Sequence, residues 1–344
     1  MKQSMFFIAV FISLNVSIQA QTTPSGCKVD NRIPLEGDGG WDYLAIDDAT
    51  NTAYVSHSSI VQVVNLAEGK LVATIADQKG VHGIALAKDL NKGFISNGQD
   101  STVTVFDLTT NKAIAKIQCT GRNPDAILYD PYSQLVFTFN GRSANSTVID
   151  AKTNQVKATI ALDGKPEFSQ SDKNGTVYVN IEDKSMINVI DTKTLKVTQH
   201  WSIAPGEEPS GLALDNEDHL LFSVCGNKMM IVTNAQTGKV IANLPIGDGC
   251  DGVAFDPILK RAYSSNGEGT MTVVQKTAKD KFVVLENITT QPSARTIAVN
   301  AKTHHLYLPA AEYNPIPESS TGNQRSRASL KAGSFVLLDV KTTK

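Results

Sequence analysis

Residues 251–290 read DGVAFDPILKRAYSSNGEGTMTVVQKTAKDKFVVLENITT, four short strand-like runs separated by turn residues. The pattern returns every 40 to 44 residues from Trp41 to the C-terminus. That is the period of four-stranded propeller blades. Seven openings share it: WDYLAID at Trp41, VHGIALA at Val81, PDAILYD at Pro124, PEFSQSD at Pro166, PSGLALD at Pro209, CDGVAFD at Cys250 and ARTIAVN at Ala294. No eighth fits. The chain is therefore predicted to be all-β, a seven-bladed β-propeller of four-stranded blades.

Each opening is followed by a second run that carries an aromatic: Tyr54, Phe94, Phe137, Tyr178, Phe222, Tyr263 or Tyr307. One flat apolar group per unit suits packing between neighbouring sheets. A third run ends in a turn rich in Asp, Asn, Thr and Lys, as in VFDLTTNK from Val105, VIDAKTNQ from Val148, VIDTKTLK from Val189 and the terminal LLDVKTTK. Asp107, Asp150, Asp191 and Asp339 are placed there to accept hydrogen bonds from backbone groups a few residues ahead. A fourth, half-exposed run follows, such as KAIAKI or KVIANL.

The last unit lacks its fourth run. KVDNRIPLEGDGG from Lys28 resembles KVIANLPIGDG from Lys239, so residues 27–36 are expected to supply the outer strand of blade seven and close the ring. Blade seven also carries an insertion, residues 310–333, rich in proline and polar residues with little to bury. It is expected to be a mobile loop projecting from one face, either a tolerated insertion or a lid or docking loop.

Lys2, the apolar run Phe6–Leu14 and the small residue Ala20 read as a secretory signal peptide over residues 1–20. The run is too short to span a bilayer, and Pro24-Ser25-Gly26 lacks the aliphatic residue that a lipoprotein signal at Cys27 needs. Residues 21–344 are then one domain, periplasmic or secreted and expected to be a monomer. Lys plus Arg (32) nearly balance Asp plus Glu (34), so no overall field draws the chain to nucleic acid or to an anionic membrane. Four cysteines are too few to scaffold a chain of this length.

The segments Tyr54-Val55-Ser56-His57 and Tyr263-Ser264-Ser265-Asn266, with the turns VFDLTTNKAIAKI and VIDAKTNQVKATI, resemble the YVTN-type propeller repeat. The likeness covers all seven units, and the chain is similar to exported YncE-like proteins. It implies the fold but not the chemistry, since similar propellers occur among lactonases, quinone- or haem-linked dehydrogenases and metal chaperones. WD40 and kelch signatures are missing, as are G-x-S-x-G, H-E-x-x-H, the phosphate-cradling P-loop and C-x-x-C-H.

In a propeller the first strand of each blade lines the central channel. Asp42, His82, Asp125, Glu167, Ser210, Asp251 and Arg295 hold equivalent opening positions and are predicted to converge there. The ends of the second strands add His57, Asn97, Asn140 and Asn266 to this candidate rim. Hydrogen bonding to turns is the competing role for the three asparagines. The gathered carboxylates call for compensation by Arg295, a cation or water. His57 and His82 are expected to be neighbours, able to bind zinc or copper or to move protons, with Glu167 a further metal candidate. The same neighbour relation makes Cys225 and Cys250 a candidate disulfide or a soft-metal pair, whereas Cys27 and Cys119 stay unpaired. His304 and His305 fall on the opposite face and read as solvated.

The reading that follows is a module binding an unidentified small molecule or protein through its channel face. Two alternatives use a divalent metal. One is a lactonase-like hydrolase with the ion held by Glu167, Asn140 and Asp251 and protons moved by His82 or Asp125. The other is a periplasmic metal-binding protein that uses His57, His82, Cys225 and Cys250.

Overall fold

Asp-rich turns make the blades. In blade three Asp150 accepts hydrogen bonds from the N–H groups of Lys152 and Thr153, at 3.0 and 2.9 Å, and Asn154 adopts φ 60°. The chain thereby reverses between the third strand, Asn145–Asp150, and the fourth, Gln155–Ala161. Asp107 and Asp191 act in the same way toward Thr110 and Thr194. Asp339 does not. Its strand pairs with Lys28–Pro34 from the start of the chain, and its carboxylate lies 2.6 Å from His305 Nδ1.

The computed structural model describes residues 24–315 and 329–342, which form seven four-stranded antiparallel sheets. In blades one to six the four strands of a sheet follow chain order. In the seventh the order is Lys28–Pro34, Val336–Lys341, His305–Ala310 and Ala298–Asn300. Lys28–Pro34 runs antiparallel to Val336–Lys341, with Ile33 opposite Leu337, and is the outermost strand of that sheet. The predicted signal segment lies outside the described residues, as do positions 316–328 of the insertion. The base of the insertion is an antiparallel bridge between Tyr313 and Leu330. Among the described residues no helix is long and apolar enough to cross a membrane.

The core is divided among the seams between blades. All seven second-strand aromatics are buried, and they pack toward the next blade. Tyr54 meets Phe106 with ring centroids 5.5 Å apart, and Phe222 meets Phe255 at 5.2 Å. At the closing seam Tyr307 joins Leu44, Val55 and Val64 of blade one, together with Ile33 and Leu35. Near the axis the first strands come so close that a Cβ on Gly211 would lie 2.9 Å from Val253 N, which is why glycine follows the channel residue there.

Polar contacts also cross the seams on the face away from the strand openings. Lys88 Nζ reaches Asp47 at 2.9 Å, Ser171 donates to Asp130 at 2.6 Å, and His304 Nδ1 lies 2.6 Å from the fully buried Asp256. His304 and His305 are therefore half-buried partners of carboxylates, not solvated residues: the strand ends they follow bring Asp256 and Asp339 against them.

Candidate functional site

The first strands open at the channel mouth, and most of their opening side chains meet there. Arg295 Nη1 lies 3.4 Å from Asp42 Oδ1 and also pairs with Asp251. His82 Nδ1 is 2.6 Å from Asp42 Oδ2 and 3.3 Å from Asp125 Oδ1. One chain of charged side chains thus links blades six, seven, one, two and three. Glu167 of blade four pairs with Lys165 at 2.7 Å, and Lys165 also pairs with Glu182. Ser210 of blade five donates to the Cys250 carbonyl at 3.3 Å.

The backbones under these side chains are held by neighbouring blades. Ser96 Oγ donates to the Asp125 carbonyl at 2.6 Å, Thr296 Oγ1 to that of Asp42 at 2.7 Å, and Tyr43 N–H to that of His82 at 3.2 Å. Each of these bonds crosses a seam, so the mouth is shaped by the assembled ring.

Tyr43 and Phe168, which follow Asp42 and Glu167 in the chain, reach across the axis until their ring centroids are 4.9 Å apart. They set an aromatic pair beside the mouth. Beside Asp42 and His82 lies a cleft of about 500 Å³, lined also by Gln99, Asn123, Arg142 and Arg295, among others. Burial disfavours charge. It lifts the Asp125 carboxyl to about 6, with the Asp42 charge adding to the effect. It lifts that of Glu167 to about 7, where the Asp125 charge adds and Lys165 opposes. Burial also works against a charged His82, but the Asp42 hydrogen bond and the two aspartates outweigh it and raise the imidazole above its usual value.

The second-strand positions do not join the mouth. Asn97, Asn140 and Asn266 are fully buried and donate within their own blades, to Thr104, Thr147 and Thr272, each at 3.0 Å. His57 is buried in the seam between blades seven and one, its Nδ1 3.2 Å from Gln62 Oε1 and its ring centroid 4.0 Å from that of Phe335. Burial there holds it below the usual imidazole value. It does not meet His82, because blades stand radially and send second-strand side chains sideways.

The predicted metal sets are therefore not assembled. Glu167 faces Lys165, Asn140 faces the inside of blade three, and Asp251 faces Arg295. Cys225 and Cys250 are neighbours, but both are free thiols, with Cys250 Sγ donating to the Cys225 carbonyl at 3.2 Å. Burial pushes both up to about 12, which leaves them poor nucleophiles and poor metal ligands.

No protein-family model matches the chain. Antigen Lp49 of Leptospira interrogans is 26% identical over 193 residues, 51% of this chain and 40% of that one. Uncharacterized protein YncE of Escherichia coli K12 is 27% identical over 158 residues, 40% of this chain and 44% of its own. The chain spans about half the length of the curated relatives it matches or less. Among solved structures, a chain of a mitotic checkpoint complex aligns with a TM-score of 0.72 at 12% identity, covering 99% of this chain and 98% of its own. A chain of Kuenenia stuttgartiensis hydrazine synthase aligns with a TM-score of 0.69 at 16% identity, covering 80% and 94%. At such identities these two agree in fold alone.

The chain is a seven-bladed β-propeller that resembles YncE in sequence.

The propeller builds its mouth partly from residues that the repeat did not single out. Tyr43 and Phe168 occupy positions held elsewhere by Gly83, Ala126, Gly211, Gly252 and Thr296, a contrast in size that the aligned openings contain. Lys165 lies one residue before the blade-four opening. Gln99 and Arg142 come from the connecting loops just after the Asn-Gly pairs that end the second strands of blades two and three, and Asn123 directly precedes the blade-three opening, as Lys165 does that of blade four. Among the described residues the side chains of Gln99, Asn123 and Arg142 have no protein hydrogen-bond partner.

Proposed function

We propose that this YncE-like propeller is an exported binding protein that takes a small molecule or a protein segment at its channel mouth. The observation that carries the reading is the division of the cleft into two halves. The ring residues satisfy one another, whereas Gln99, Asn123 and Arg142 face the same space with amide and guanidinium groups to spare. An anionic head group on the ligand suits Arg142, which can bind a carboxylate or phosphate through two parallel N–H groups. Donor groups on the ligand suit Asp42 and Asp125. Export rests on the charged start and apolar run of the first twenty residues.

Thermal-shift screening of the purified protein against small carboxylates, amino acids, phosphate esters and short peptides tests the site. The expected result is a ligand whose stabilisation disappears in Arg142→Ala and Asn123→Ala. Hits that both variants retain would move binding away from the mouth and end this reading. Export is tested separately by the N-terminal mass of the protein recovered from cell fractions. An uncleaved chain confined to the cytoplasm would refute it.

A further inference from the structure

We infer that Asp42, His82 and Asp125 form a binding site for a first-row divalent transition-metal ion. The inference deepens the proposed channel-mouth binding and rests on it for the site's role, but not for its existence.

One donor atom from each residue, the His82 Nδ1 and one carboxylate oxygen from each aspartate, lie within 4.8 Å of one another. They come from three consecutive blades. Ligand bonds of about 2.0–2.2 Å in tetrahedral geometry place neighbouring donors roughly 3.3–3.5 Å apart. His82 Nδ1 and Asp125 Oδ1 already stand at 3.3 Å. The 2.6 Å contact between His82 and Asp42 has to open by less than about 1 Å, as the ion replaces the proton they share.

The donor set selects the kind of ion. One imidazole with two carboxylates suits zinc, manganese, iron(II) or cobalt(II). Calcium requires about six to eight oxygens, far more than this site offers. Charge points the same way. Asp42, Asp125, Glu167 and Asp251, with Glu182 behind Lys165, outnumber the cations Arg295, Lys165 and Arg142 among the described residues of the mouth. A divalent cation removes that negative excess.

The surroundings also prepare the ligands. Arg295 engages Asp42 Oδ1 and leaves Oδ2 toward the site. Bonds across the seams anchor the Asp42, His82 and Asp125 carbonyls, so all three ligand backbones are fixed by neighbouring blades. Such outer contacts orient ligands and strengthen metal binding. The cleft above leaves coordination positions open to water or to an incoming anion beside Arg142.

The other histidine–carboxylate pairs serve as internal controls. Among the described residues, His200 with Asp163, His304 with Asp256 and His305 with Asp339 each pair with one carboxylate only. Purified protein stripped with chelator is titrated with Co²⁺ and Zn²⁺, followed by visible absorption and calorimetry. One equivalent of metal is expected, with ligand-field bands from cobalt. Affinity should fall at least about tenfold in Asp125→Asn and in His82→Gln, and stay at the wild-type level in His200→Gln and His305→Gln. Circular dichroism of the metal-free variants checks that the ring is intact, with Asp42→Asn as the replacement if either variant fails to fold. No saturable binding, or binding that both site variants retain, overturns the inference. Because metal is read without any other ligand, a ligand hit that depends on Arg142 would survive that failure. Metal bound by a protein that gives no such hit would instead remove the small-molecule and peptide reading.

Discussion

Tyr43 and Phe168 belong to blades one and four, yet their rings meet on the propeller axis with centroids 4.9 Å apart. The contact sets an aromatic pair beside the charged mouth, and the Phe168 ring is expected to shield the adjacent Glu167 from water. Phe168→Ala is expected to admit that water. Phe168 is half-buried, so the loss of stability should be below the ~3–5 kcal/mol of a fully buried phenylalanine. The Glu167 carboxyl should fall from about 7 toward its ordinary 4.5. An NMR pH titration of the glutamate carboxyl reads the change, and an unmoved midpoint would separate the ring from the electrostatics.

His57 predicts an acid response. Its folded-state pKa lies below the ordinary 6.5 because it is buried, while in the unfolded chain it titrates near that value. Below about pH 6.5 the unfolded chain takes up a proton that folded His57 resists. Its contribution is thus fully present above that pH and is lost as pH falls toward the folded value. His57→Gln, which cannot take a proton, should flatten urea-unfolding stability between pH 7 and pH 5. Equal slopes in the two proteins would clear His57 of this role.

The outer strand of blade seven predicts a global effect. Ile33 is 2% exposed and packs in the closing seam with Tyr307 and Leu337. Ile33→Ala should cost about 2–5 kcal/mol in equilibrium unfolding. Deleting residues 27–36 should cost more, because it also strips Val336–Lys341 of its paired neighbour. A truncated protein that melts with the full chain would show that the ring does not depend on this strand.

Gly93 and Phe106 predict a coupled pair. A Cβ at Gly93 would lie 2.1 Å from Phe106 Cζ, inside the ring's own space. Gly93→Ala should destabilise by about 1–3 kcal/mol as Phe106 is displaced. Phe106→Leu should cost less in the Gly93→Ala background than alone. A double-mutant cycle measures this, and additive losses would mean that the clash relaxes elsewhere.

Much of this molecule could be read from residue order. The aromatics from Tyr54 to Tyr307 recur because each seam between blades poses the same packing problem. The Asp107, Asp150 and Asp191 turns recur because each blade reverses direction in the same way. Asp339 broke the turn rule, and the reason is topological: its strand is paired with Lys28–Pro34 from the start of the chain, not with a hairpin partner. Of the opening positions, Asp42, His82, Asp125 and Arg295 meet at the channel mouth. The second-strand positions lie one strand out from the axis, where His57 turns into the seam between blades seven and one and Asn140 bonds within blade three.

Blade number, strand order within a blade and the apolar seams were determined by the sequence alone, since each arises from local patterns repeated seven times. Only the tertiary structure decided that Asp42, His82 and Asp125 share one mouth, that Arg142 faces it, and that Tyr43 meets Phe168. Those contacts join different blades across the ring. Their geometry depends on how many blades close the circle and how tightly, and no single repeat carries that information.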